Sequence, residues 1–154
     1  MKDRFFLDTN IFVYAHDGQD REKQSVSRRL IFDAIKNESG VISAQVLSEF
    51  WVTVTRKIPD PLPFDFAMRA IELYGSLDIK EIDYQLVLSA VSLQKKYLLS
   101  YWDSLIISAA KGSMCRILYS EDLNSGQDIE GVVVVNPFQS GEKSLLNELP
   151  IYTN

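Results

Sequence analysis

Four acidic side chains stand where a chain would put them to gather cations. Asp8 directly follows the apolar run Arg4-Phe5-Phe6-Leu7, and Asp122 follows Ile117-Leu118-Tyr119 by way of Ser120-Glu121. Glu49 lies less than two turns into a helical stretch that starts after Gly40-Val41-Ile42-Ser43, and Asp103 opens another helical stretch. Singly, each has a plain structural use as a turn former, a helix cap or a solvated helix residue. Gathered, they would repel one another unless protonated or met by cations. Oxygen-only ligands suit Mg²⁺ or Mn²⁺. One or two such ions polarise a phosphodiester, activate a water and stabilise the leaving oxygen, with no nucleophilic side chain.

Other chemistries are poorly supplied. His16 is the one histidine, so a His-rich zinc site is excluded, and it reads as a surface or cap residue. Gly-x-Gly-x-x-Gly, P-loop and Gly-x-Ser-x-Gly patterns are absent. Cys115 is the one cysteine; it cannot pair internally and reads as a small core residue.

The acids need elements to bring them together. Arg4 to Leu7, Gly40 to Ser43, Arg116 to Tyr119 and Val132 to Val135 are short apolar runs ended by turn formers, the pattern of buried strands. The last has almost no polar alternation, which predicts cover on both faces. Helical spacing runs over 22–37, 44–57, 64–74, 84–97 and 103–110, with Ser43 and Asp83 as candidate N-caps. Ile58-Pro59-Asp60-Pro61-Leu62-Pro63 is a rigid turn between two helices. Short apolar strands separated by helices predict an α/β fold with a parallel sheet. Such sheets bind ligands beyond the carboxyl ends of their strands, where the acids lie.

Composition agrees with one domain over residues 1–154. Hydrophobic residues make up 46% and charged residues 24%, and 154 residues can bury a sizeable core. A net charge of −5 argues against coating nucleic acid by bulk charge, but acids that hold cations have the same signature. No apolar stretch is long enough for a membrane span, and no signal peptide is apparent.

The sequence also resembles the PIN-domain ribonucleases, most of all the VapC-like toxins of toxin–antitoxin pairs. Phe6-Leu7-Asp8-Thr9-Asn10-Ile11 resembles the family's first motif and Ser43-Ala44-Gln45-Val46-Leu47-Ser48-Glu49-Phe50 its second. Tyr101-Trp102-Asp103-Ser104-Leu105-Ile106 resembles the third, Ile117 to Gly126 the fourth, and Gly131 to Val135 with Asn136-Pro137-Phe138 the closing strand. The resemblance implies a three-layer α/β/α fold around a parallel sheet of four or five short strands. It implies Asp8, Glu49, Asp103 and Asp122 as catalytic metal ligands for Mg²⁺ or Mn²⁺, with Thr9, Asn10, Ser120 and Glu121 as polar support. Glu121 points differently from its neighbour at a strand end, so its place in the set stays open. The implied function is a metal-dependent endoribonuclease acting as a toxin, in the cytoplasm. Its implied partners are RNA, an antitoxin and a second copy of the chain in a homodimer, with no membrane. A stand-alone RNA-processing nuclease and a non-catalytic binding module are the alternatives. Arg28, Arg29, Arg56, Lys57, Lys95 and Lys96 are candidate RNA-backbone contacts. Phe12, Leu30, Phe50 and Trp51 are candidates for an apolar antitoxin groove, Trp51 being the one expected to be exposed.

Overall fold

A computed structural model describes residues 3–139. The apolar residues Leu145, Leu146, Leu149 and Ile151, whose pattern suits packing on the core or on a partner, lie outside the described residues. Among the described residues six strands form one sheet: β1 (Phe5–Leu7), β2 (Gly40–Ser43), β3 (Asp78–Lys80), β4 (Ile117–Tyr119), β5 (Asp128–Ile129) and β6 (Val132–Val135). The same residues hold six helices: α1 (Thr9–His16), α2 (Arg21–Lys36), α3 (Ala44–Val52), α4 (Phe64–Tyr74), α5 (Tyr84–Tyr97) and α6 (Tyr101–Gly112). Residues Thr53–Lys57 continue α3 as a π turn.

The strand order is β3-β2-β1-β4-β6-β5, parallel throughout except for β5 against β6. Successive residues of a strand face opposite sides, and Phe6, Leu7, Val41, Ile42 and Leu118 are all buried. The central strands are therefore covered on both faces, as expected of a parallel sheet. At the margin the expectation of full cover fails. In β6, Val132 and Val134 are buried while Val133 and Val135 are only half-covered.

Five strands run parallel, within the four or five expected, and β5 adds an antiparallel sixth; two of the six are too slight to read from sequence. β3 is a three-residue edge strand with no apolar run, held by parallel pairing to β2 and by an ion pair from Arg4 to Asp78. β5 has two residues and exists through its hairpin. Glu130 and Gly131 both take positive φ (53° and 95°), the requirement of a tight two-residue turn, and the Gly131 N–H donates to Asp128 Oδ1 at 2.8 Å.

Phe12, Leu30 and Phe50 belong to the core rather than to a docking groove. Trp51 is half-buried, tilted against Phe64 with ring centroids 5.4 Å apart, and is not the exposed residue that helical phase suggested. His16 is not a surface residue either. Its Nε2 lies 2.6 Å from the Tyr74 hydroxyl and its ring packs near Phe50, so burial lowers its pKa. Cys115 is buried, as expected, which pushes its thiol up to about 11.

Candidate functional site

β1 delivers Asp8. Its backbone N–H donates to Tyr119 O (3.0 Å), extending the β1–β4 pairing by one residue. Its carboxylate accepts from the Thr9 N–H at 2.7 Å, capping α1. The turn after β4 supplies Ser120, whose hydroxyl donates to the other Asp8 oxygen at 2.7 Å. Asp8 is thus both the cap that a lone aspartate would be and a buried carboxylate at the sheet edge.

Glu49 arrives by a different route. Ser43 at the end of β2 caps α3 through the Val46 N–H (3.4 Å), and Glu49 projects from that helix toward α1. Its two oxygens accept from Thr9 Oγ1 (2.8 Å) and Gln45 Nε2 (2.7 Å). Gln45 also donates to Trp102 O at 3.2 Å, tying α3 to the first turn of α6, which carries Asp103. Asp103 is not the cap of α6. The helix starts two residues earlier, and Ser100 Oγ accepts from the Asp103 N–H at 3.1 Å.

Asp122 is held by Asn10 Nδ2 at 3.1 Å, while its N–H donates to Ser120 Oγ at 3.1 Å. Asn10 Nδ2 also reaches Ser120 Oγ at 3.4 Å, so Asn10 and Ser120 join Asp8 to Asp122. Glu121 goes elsewhere. Its carboxylate pairs with Lys23 from α2 at 2.8 Å, and only its N–H, donating to Asn10 Oδ1 at 3.3 Å, serves the cluster. Gln45, Ser100 and Lys23 escaped the sequence reading. Gln45 precedes Glu49 by four residues, a helix-neighbour spacing, and Ser100 precedes Asp103 by three, the spacing of a cap and its acid. Nothing local marks Lys23.

The electrostatics tie the four acids together. Burial, opposed by the Ser120 and Thr9 hydrogen bonds, pushes Asp8 up to about 7, and repulsion from Asp122 and Glu49 adds to the rise. Burial also raises Asp103, against the Ser100 hydrogen bond, with Asp122 and Glu49 again repelling. None of the four enters an ion pair among the described residues. As the side chains stand, no three His, Cys, Asp or Glu groups among the described residues are placed to hold an ion. The donor chemistry nevertheless fits a hard divalent cation. The set is all oxygen and its charge is uncompensated, and Mg²⁺ takes only one or two protein carboxylates while keeping several waters.

The PIN domain family model matches residues 5–125, and the chain belongs to that family. A comparison with curated proteins gave no significant match. Among solved structures the fold is that of VapC toxins. The chain is similar to VapC20 of Mycobacterium tuberculosis, described as a sarcin-ricin loop cleaving toxin. The identity is 19%, over 77% of this chain and 89% of that one, with a TM-score of 0.61. A toxin–antitoxin complex from Klebsiella pneumoniae matches at 20% identity, over 87% and 98%, with a TM-score of 0.63. VapBC2 from Rickettsia felis, bound to a DNA fragment of its promoter, matches at 20% over 86% and 97%, with a TM-score of 0.61. None of the described helices is long and apolar enough to cross a membrane.

Proposed function

We propose that the chain is a divalent-cation-dependent endoribonuclease, the toxin of a toxin–antitoxin pair, acting in the cytoplasm as a single unit over residues 1–154. The observation that carries this reading is uncompensated charge. Four carboxylates from four elements lie near one sheet edge without a cationic partner, and one is buried enough to titrate near 7. Asp8, Glu49, Asp103 and Asp122 would hold Mg²⁺ or Mn²⁺. Bound there, the cation would supply positive charge against the scissile phosphate and would lower the pKa of a water so that it could attack as hydroxide. The protein's own groups set the stage. Ser120 and the Thr9 N–H fix the two Asp8 oxygens, Thr9 and Gln45 fix Glu49, and Asn10 fixes Asp122. Glu121, paired with Lys23, supports the site by anchoring the turn after β4.

The antitoxin and the homodimer are part of the proposal. The toxin–antitoxin complexes among the structural neighbours support the first. The test is to express wild type and Asp8→Asn without a partner and follow growth and total RNA. Purified protein is assayed alongside with Mg²⁺, Mn²⁺ and excess EDTA. We expect wild type alone to arrest growth and degrade RNA, with cleavage lost in EDTA. Undiminished cleavage in EDTA sinks the metal mechanism. Cleavage in vitro without growth arrest points instead to a stand-alone processing nuclease.

A further inference from the structure

The acid cluster opens into a groove of about 640 Å³ that runs between α1 and the α3–π turn segment. Asn10, Val13 and Asp17 line one wall, and Ser48, Val52 and Thr53 the other. Glu49 and Asp122 of the acid cluster are among its lining residues. The groove has one basic lining residue, Lys57, the last residue of the π turn. Among the described residues Lys57 is exposed and enters no ion pair. The other candidate RNA contacts do not line this groove. Arg28 donates to Ala15 O, Arg29 pairs with Asp33 and Lys96 with Glu130, while Arg56 and Lys95 are exposed elsewhere.

The π turn accounts for the placement. In an unbroken α-helix a residue eight past Glu49 lies roughly 80° round the axis from it. Here the Ile58 N–H donates to Thr53 O at 3.2 Å, a five-residue step that slows the rotation and holds Lys57 toward the Glu49 side. The sequence favours the wider turn. Thr53, Val54 and Thr55 are β-branched, Thr55 Oγ1 donates back to Trp51 O at 2.6 Å, and Pro59 follows closely.

We infer that this groove is a subsite for single-stranded RNA in which Lys57 holds a backbone phosphate next along the strand from the one cleaved. The inference rests on the ribonuclease reading above. Lys57 comes eight residues after Glu49, roughly 10–12 Å further along the axis between backbones, which sets the lysine beyond the acid cluster rather than within it. The groove is otherwise lined by acids, neutral polar groups and valines, so the lysine fixes where a polyanion leaving the metal site comes to rest. Lysine is a compact point charge with no base-reading geometry, so the contact positions the strand without selecting its sequence. Lys57 is a positioning residue rather than a catalytic one.

The experiment compares wild type, Lys57→Ala, Lys57→Arg and the control Lys36→Ala, an exposed lysine outside the groove, in cleaving one fluorogenic single-stranded RNA with Mg²⁺ over a series of KCl concentrations. Lys57→Ala should raise KM roughly threefold to fivefold, the scale of one exposed charge contact, with kcat little changed. It should also flatten the logarithmic salt dependence of kcat/KM by about 0.7, the loss of one phosphate contact to a single strand. Lys57→Arg should restore most of both, and Lys36→Ala should match wild type. An unchanged KM and salt slope in Lys57→Ala, with wild type active, overturns the inference and leaves the ribonuclease reading intact. A fall in kcat alone overturns it as well. Failure of wild type to cleave RNA under any divalent cation overturns the ribonuclease reading and this inference together.

Discussion

Asp8 holds a carboxylate where water scarcely reaches it, and that one fact links stability to the site. Burial pushes its pKa from the ordinary 3.8 up to about 7 in the folded chain. The native state therefore keeps an extra proton between the two values. The stability that proton brings is fully present below pH 4 and is lost as pH rises through 7. The loss is on the order of 4 kcal/mol at most, at 1.36 kcal/mol for each pH unit. We expect the melting temperature of chelator-treated protein to fall from pH 5 to pH 8, and Asp8→Asn to flatten the profile while abolishing cleavage. A wild-type profile as flat as the variant's would place Asp8 in contact with solvent. Ser120 is the second residue to test. Its hydroxyl donates to Asp8 and accepts from the Asp122 N–H and Asn10 Nδ2, so Ser120→Ala loosens both ends of the cluster. Supporting groups of this kind contribute roughly 10- to 100-fold in metal affinity or activity, and metal titration of the variant should read a loss on that scale.

At the scale of elements, the positions that matter are those where the chain turns or closes tightly. Leu98 ends α5 in the left-handed region at φ 57° with its side chain exposed. That conformation costs a non-glycine residue about 1–2 kcal/mol, so Leu98→Gly should stabilise the fold by about 0.5–1 kcal/mol once the looser unfolded chain is counted. Urea denaturation checks it, and a destabilised variant would show that Leu98 makes contacts worth more than the strain. Gly40 is the opposite case. A Cβ there would lie 2.5 Å from Ala34 Cβ and 2.9 Å from Leu77 Cδ2, so α2 packs on β2 through the missing side chain. Gly40→Ala should cost about 1–3 kcal/mol and, by shifting β2, disturb the Ser43 cap that leads to Glu49. A urea midpoint within error of wild type would show that β2 and α2 can part without loss. The long elements were legible in sequence because their apolar periodicity is a local property, and Ser43 and Asp83 do cap α3 and α5. β3 and β5 were not, since Asp78-Ile79-Lys80 and Asp128-Ile129 carry no apolar run. Asp103 was read as opening its helix because the true cap, Ser100, precedes the apolar stripe.

For the whole molecule, the proposed chemistry depends on cations that reverse the field of an acidic site in a chain of net charge −5. Chelation should abolish cleavage and leave the fold intact, since β1, β2, β4 and β6 are held by their own ladder and core. Circular dichroism with and without EDTA, beside the cleavage assay, reads both. A chain that unfolds in EDTA would make the metal structural instead. The sequence by itself marked five of the six described helices, the apolar central strands and the four acids on or just after the elements that carry them, because each is written in residue type and short-range spacing. It also listed six candidate RNA-contacting cations without ranking them. Only the tertiary structure separated Glu121, drawn away by Lys23 ninety-eight residues distant in sequence, from Asp122, held by Asn10. Only it singled out Lys57, through a π turn that changes helical phase, and moved Phe12 and Phe50 from a supposed groove into the core. The physical reason is common to all three. Partners far apart in the chain meet only when the sheet forms, and a side chain's direction depends on the backbone turn beneath it as much as on its place in the sequence.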